Sequence, residues 1–297
     1  MRSFFTVCLL VLPAGVLATP VVLPCSDPGA LRAAVEVAAL DDATPGDRDD
    51  LVSDLFDCLG HPDPAVRDDL AYATLAAWLR GDAVSPAERG DLLVDLSAEL
   101  APKHPDPHGF RPPFAALVLS EVARTDRVSA WMTDEQRRRL VAAATHYLAN
   151  VRDYRGFVDG EGWRHGVAHG ADLVMQLVLN PALDAQARRQ LLDAVAVQVA
   201  PPGAPPYVHT ESERLARPVL LALDQDTFDT AQWSAWIAAL AAPAPMAGWD
   251  EAWRSEAGLA RRHNLRAFLM ALHVGLSGRE DAAAWQAPVA QALRASN

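Results

Sequence analysis

The chain is poor in the features that usually declare a chemistry. It has three cysteines in 297 residues, none of them in the close pairs of a metal-binding loop. No nucleophile elbow, P-loop or dinucleotide-binding glycine fingerprint occurs. Basic clusters with interleaved aromatics are missing as well, and Lys plus Arg number 26 against 38 for Asp plus Glu, a net charge of −12. Such a surface repels phosphate backbones, which argues against nucleic acid and anionic membranes as partners. The apolar run Phe4–Leu17 is about 14 residues, short of the roughly 20 a spanning helix needs. No convincing period-two alternation is found, so a sheet is not the main element.

What is there begins with an export signal. Arg2 precedes the apolar run, and Val16-Leu17-Ala18 offers a cleavage site. Residues 1–18 are read as a cleavable signal peptide and 19–297 as a single α-helical domain, which implies a periplasmic or secreted protein with no membrane span after cleavage. Pro24 ahead of Cys25 argues against a lipid anchor. Cys8 leaves with the signal, so Cys25 and Cys58 remain. In an oxidising compartment they can be bridged, which removes chain entropy worth about 3.5–4 kcal/mol. The alternative is two buried thiols. Apolar residues make up 51% of the chain, enough for a packed core and against disorder.

Apolar residues recur at helical spacing almost throughout. The punctuation is clear. Ser85-Pro86-Ala87-Glu88, Thr133-Asp134-Glu135-Gln136 and Thr210-Glu211-Ser212-Glu213 read as capping boxes. The spacing predicts about 12 helices, near 28–40, 47–59, 63–80, 86–100, 112–124, 134–150, 164–179, 184–199, 211–224, 229–241, 249–276 (with a break near Gly258) and 280–294. Short links predict antiparallel pairs, as in an irregular HEAT-like α-solenoid or, alternatively, an α/α toroid. Three links are long: 101–111, 152–163 and 200–210. On a helical scaffold, long loops are where function collects.

One segment stands out. Asp153-Tyr154-Arg155-Gly156-Phe157 leads through Asp159, Glu161 and Gly162-Trp163 into Arg164-His165-Gly166-Val167-Ala168-His169-Gly170-Ala171-Asp172. The pattern RGF…GWxHxxAHxAD resembles a bacterial family catalogued as a domain of unknown function. The similarity takes in Arg67-Asp68-Asp69-Leu70-Ala71-Tyr72 and Asn264-Leu265-Arg266-Ala267-Phe268-Leu269, and so residues 50 to 275. It implies no particular activity, cofactor or partner.

At 100° per residue from Val167, the residues Ala171, Val174 and Val178 form a core-facing stripe within about 40°. His165, His169, Asp172 and Gln176 fall between about 140° and 200°, a polar arc of only about 60° on a helix that is otherwise apolar. A stripe that narrow suggests a groove, with Arg155, Trp163 and Tyr207 as ligand-binding candidates. Three roles are open. His165, His169 and Asp172 could hold a divalent metal, with Glu161 or Asp159 as a fourth ligand. His169 could do acid–base work with Asp172 or Asp159. The imidazoles could instead brace the loop by bonding its carbonyls. Gly166 and Gly170, at i and i+4, point to a close helix crossing. The tryptophans, Trp163, Trp233, Trp236, Trp249, Trp253 and Trp285 among them, are expected as core anchors. Function is therefore read as a ligand-binding or catalytic-like groove. The alternative is a non-enzymatic helical interaction scaffold with the motif as brace, and the third reading is an envelope hydrolase. Whether the chain is an enzyme stays open, as do its cofactor and its protein or small-molecule partner.

Overall fold

The structure, a computed structural model, describes residues 25–39, 45–101, 106–279 and 282–297. The signal segment and the expected new N-terminus at Thr19 lie outside them. The described chain is all-α. Helices α1 (Pro28–Ala38) and α2 (Pro45–Asp57) lead into a tight turn at Cys58–Gly60. One helical run then passes through α3 (Pro64–Val66), a wide π-type turn (Arg67–Tyr72) and α4 (Ala73–Arg80). There follow α5 (Pro86–Glu99), α6 (Arg111–Val128) and α7 (Asp134–Asn150), then a hairpin of β1 (Phe157–Val158) and β2 (Gly162–Trp163). The rest is α8 (Gly166–Val178), α9 (Ala185–Val199), α10 (Glu211–Leu223), α11 (Thr230–Leu240), a 3₁₀ segment (Trp249–Arg254), α12 (Glu256–Leu276) and α13 (Ala282–Ala295). The break near Gly258 falls at Ser255, which caps α12.

The boundaries follow from local chemistry. Asp27, Asp63, Ser85, Thr133, Asp184, Asp229 and Ser255 each accept a first-turn amide, worth about 1 kcal/mol per cap. α6 opens Arg111-Pro112-Pro113. The two prolines have no amide to satisfy, and the Arg111 amide donates to Asp106 Oδ2 at 2.7 Å. Of the three expected capping boxes only Thr133–Gln136 is complete. Ser85 caps its helix but gives its own amide to Asp49. Thr210 is held at φ 68° without capping. A further box forms at Asp229–Gln232.

The closest packing is between alternate helices. α4, α6, α8, α10 and α12 lie side by side in one row; α7 and α9 pack against each other and against that row, and α13 packs on α11 and α12. The expected pairing of consecutive helices is therefore secondary: short links put neighbours in opposite layers, so the side-by-side partner is the next but one. A continuous apolar core runs from Leu31 to Ala292. α8 sits at its centre, with 11 of 13 residues buried. A Cβ on Gly170 would lie 3.0 Å from Leu148 and 3.1 Å from Tyr147, so the glycine pair allows a close crossing with α7. Trp233 is fully buried among Trp236, Trp285 and Phe228, whereas Trp253 is 62% exposed and Trp163 38%, so these two do not anchor the core. Cys25 and Cys58 form a disulfide with Cα atoms 5.5 Å apart, tying the chain ahead of α1 to the turn after α2.

Candidate functional site

The described parts of the three long links meet at the N-terminal ends of α6, α8 and α10. Arg67 and Arg164 hold this corner. Both guanidinium groups lie over the Phe110 ring, at 3.8 Å and 4.2 Å from its centroid. Arg67, fully buried, donates to the carbonyls of His61 (2.9 Å), Pro62 (3.2 Å) and Glu161 (2.9 Å) and pairs with Asp68 at 2.7 Å. Arg164 donates to the His108 carbonyl at 2.7 Å and to Glu161 Oε2 at 2.5 Å. The hairpin is thereby pinned to the turn at 61–62 and to the loop ahead of α6. Gly162 meets two demands there: its φ is +78°, and a Cβ would come within 2.9 Å of Arg67 Nη2.

His165 leaves the helix expected of it and stands at the N-cap of α8 with φ +57°. Its Nε2 lies 2.7 Å from the His209 carbonyl. A carbonyl cannot donate, so this nitrogen carries the proton. The ring stacks on Trp163 at 4.7 Å. His169 likewise donates from Nδ1 to the Pro113 carbonyl at 3.2 Å and meets Phe114 edge-on. Burial, the main cause, lowers His165 to about 4; Arg214 adds to the effect. Burial, with His165 and Arg214 beside it, lowers His169 to about 3. Both rings are neutral at pH 7 and weak as bases.

Asp172 is paired, as a buried carboxylate must be. Its partner is neither His169 nor Arg155: Arg214 of α10 forks onto both of its oxygens, with Nε 2.9 Å from Oδ1. The fork thus holds both oxygens of the carboxylate expected as the third metal ligand, while each imidazole gives one ring nitrogen to a carbonyl. Among the described residues no group of three His, Cys, Asp or Glu is placed to hold a metal ion. Asp159 is exposed at the hairpin tip, and Glu161 bonds Arg164, so neither joins the histidines. The hairpin itself separates them: its turn carries both carboxylates outward. Arg155 pairs with Asp153 (Nε–Oδ1 2.8 Å) and lines a cavity of about 440 Å³ together with Asp106, Tyr147, Arg152 and Gly166. His165, His169 and Asp172 lie outside its wall. Tyr207 is buried rather than groove-facing, its hydroxyl donating to the Gln198 carbonyl at 3.0 Å. Asn264 of α12 accepts the Tyr207 amide at 2.7 Å and so ties α12 to the 200–210 link.

Sequence reasoning missed the partners. Arg127 of α6 donates to Gln176 of α8 at 3.0 Å, and Arg80 of α4 forks onto Glu121 of α6, with Nε–Oε2 at 2.9 Å. With Arg214–Asp172 these bonds join α4, α6, α8 and α10 in a polar ladder. No local pattern marks such pairs, since each joins residues 41 to 49 positions apart.

The fold and this corner define a two-layered all-α protein with loops locked across the ends of its central helices. Residues 96–274 match the family described as Protein of unknown function (DUF2785), and the chain belongs to that family. The motif and α8 lie inside the matched segment; Arg67–Tyr72 lies ahead of it, so the match starts later than the similarity expected from residue 50. No curated protein and no solved structure matches the chain.

Proposed function

We propose that this chain is an exported, single-domain α-helical binding scaffold in which the 153–172 motif is an internal brace. One observation carries the reading: the imidazoles of His165 and His169 are bonded to the chain's own carbonyls, and Asp172 to its own Arg214. The Cys25–Cys58 disulfide supports an oxidising compartment and hence export. Against a hydrolase reading stands the burial of both imidazoles, which lowers them to about 4 and about 3 and leaves each a weak base at neutral pH. The groove reading keeps one observation in its favour, the cavity beside Arg152 and Arg155.

Melting the His165→Ala and His169→Ala variants with and without zinc tests the brace. His169→Ala strands the Pro113 carbonyl and is expected to cost roughly 1–3 kcal/mol, with no zinc effect in either protein. An unchanged melting temperature, or a zinc-dependent rise that the substitutions remove, overturns the brace.

A further inference from the structure

The sequence scatters its arginines, and the fold gathers five of them on one face. We infer that the open face of the row α4–α6–α8–α10 docks an acidic, extended segment of a partner protein. The inference rests on the scaffold reading and names what the scaffold holds. On α6, Leu117, Arg124 and Val128 fall within about 40° of one another and form its least buried arc, with Val128 65% exposed. Glu121 flanks that arc toward Arg80 of α4, and Arg127 flanks it toward Gln176 of α8. On α10, exposed Arg217 stands between Arg214, which reaches α8, and Leu220, which touches α12 at Gly275.

Charge selects the partner. Glu121 and Asp172 are already held in arginine forks. Arg124 and Arg217 form no ion pair among the described residues; exposed Glu213 lies about 40° from Arg217 on α10 and is the one unforked acid on this arc. Five arginines against Glu121, Asp172 and Glu213 leave the face with a net positive charge on a chain of net charge −12. A long nucleic-acid polyanion meets the repulsion of the whole molecule, whereas a short acidic segment meets only this face. Free guanidinium groups match carboxylates in fork geometry. Half-buried Leu117, Met175 and Leu179 supply apolar contact between the charges. Three interaxial steps of about 8–10 Å make the row about 24–30 Å wide, the span of roughly eight extended residues at about 3.3 Å each. An extended segment fits that width better than one small molecule.

The test is fluorescence anisotropy of a fluorescein-labelled peptide of alternating Glu and Ala against the full mature chain. Wild type is expected to bind, more weakly as salt rises. Arg124→Glu and Arg217→Glu should each weaken binding about tenfold, and the double variant should lose it. Arg138→Glu, which alters an exposed pair with Glu135 on α7, should bind as wild type. Unchanged melting of the Arg124 and Arg217 variants would show that the fold is kept. Absence of wild-type binding, or equal binding by the double variant, overturns the inference. So does displacement of the peptide by a single-stranded oligonucleotide or by free glutamate at equal carboxylate or phosphate concentration. If the peptide fails while His169→Ala still destabilises without a zinc effect, only the docking inference falls and the brace stands.

Discussion

Two imidazoles lie 5.7 Å apart at the start of α8, and burial keeps both uncharged. In the unfolded chain each titrates near 6.5, whereas in the folded protein the values are about 4 and about 3. Below pH 6.5 the unfolded state takes up protons that the folded state refuses. The stabilisation is thus complete above pH 6.5 and is lost as pH falls toward 4 and 3, at about 1.4 kcal/mol per pH unit for each ring. Denaturant unfolding across pH 4–7 should show this slope, and His169→Gln should remove one ring's share; a flat profile in the wild type would contradict it. That Asp172 must be paired was legible, because a carboxylate on an apolar helix cannot stay bare. Its partner was not, since Arg214 lies 42 residues on. Asp126 escaped notice altogether: it reads as one more polar residue of α6, yet it accepts from Arg137, Asn180 and the amides of Trp131 and Met132.

Most helix ends were legible to within two residues because capping side chains and apolar period agree, but α6 runs four residues past the expected 124, to Val128, and α12 opens at Glu256 rather than at 249. The β1–β2 hairpin was not legible, because two residues per strand leave no alternation to detect. Its place is set by distant groups instead. A Cβ on Gly156 would overlap the His209 ring, so Gly156→Ala should push the hairpin off the 200–210 link and break the His165–His209 bond. We expect a loss of about 1–3 kcal/mol, with faster proteolysis between residues 153 and 163. A stability equal to wild type would show that the two links do not pack as described. The π-type turn at Arg67–Tyr72 also lacks a local signal, although it places Arg67 in the corner and Tyr72 near Arg80 and Glu121.

At the scale of the molecule, the all-α class follows from the sequence, while the alternate-helix row depends on how links cross between layers. The disulfide reinforces the end of that row where the corner loops meet. Replacing Cys58 by Ser should cost about 3.5–4 kcal/mol in equilibrium unfolding on the loop-entropy account; a variant as stable as wild type would show that the covalent tie adds nothing. The corner also bears on how the chain folds. Its bonds join Arg67 to Glu161, 94 residues apart, and His169 to Pro113, 56 apart, while the helices need only neighbours. Closing such distant contacts is entropically slow, so the hairpin is expected to dock after α6 and α8 have formed. Pulse-labelled hydrogen exchange during refolding should find the Arg164 and His165 amides protected later than those of mid-α8. Simultaneous protection would mean that the corner is part of the nucleus. If it is late, the newly folded protein passes through a stage with its helices built, its arginine ladder half made and its central loop still open.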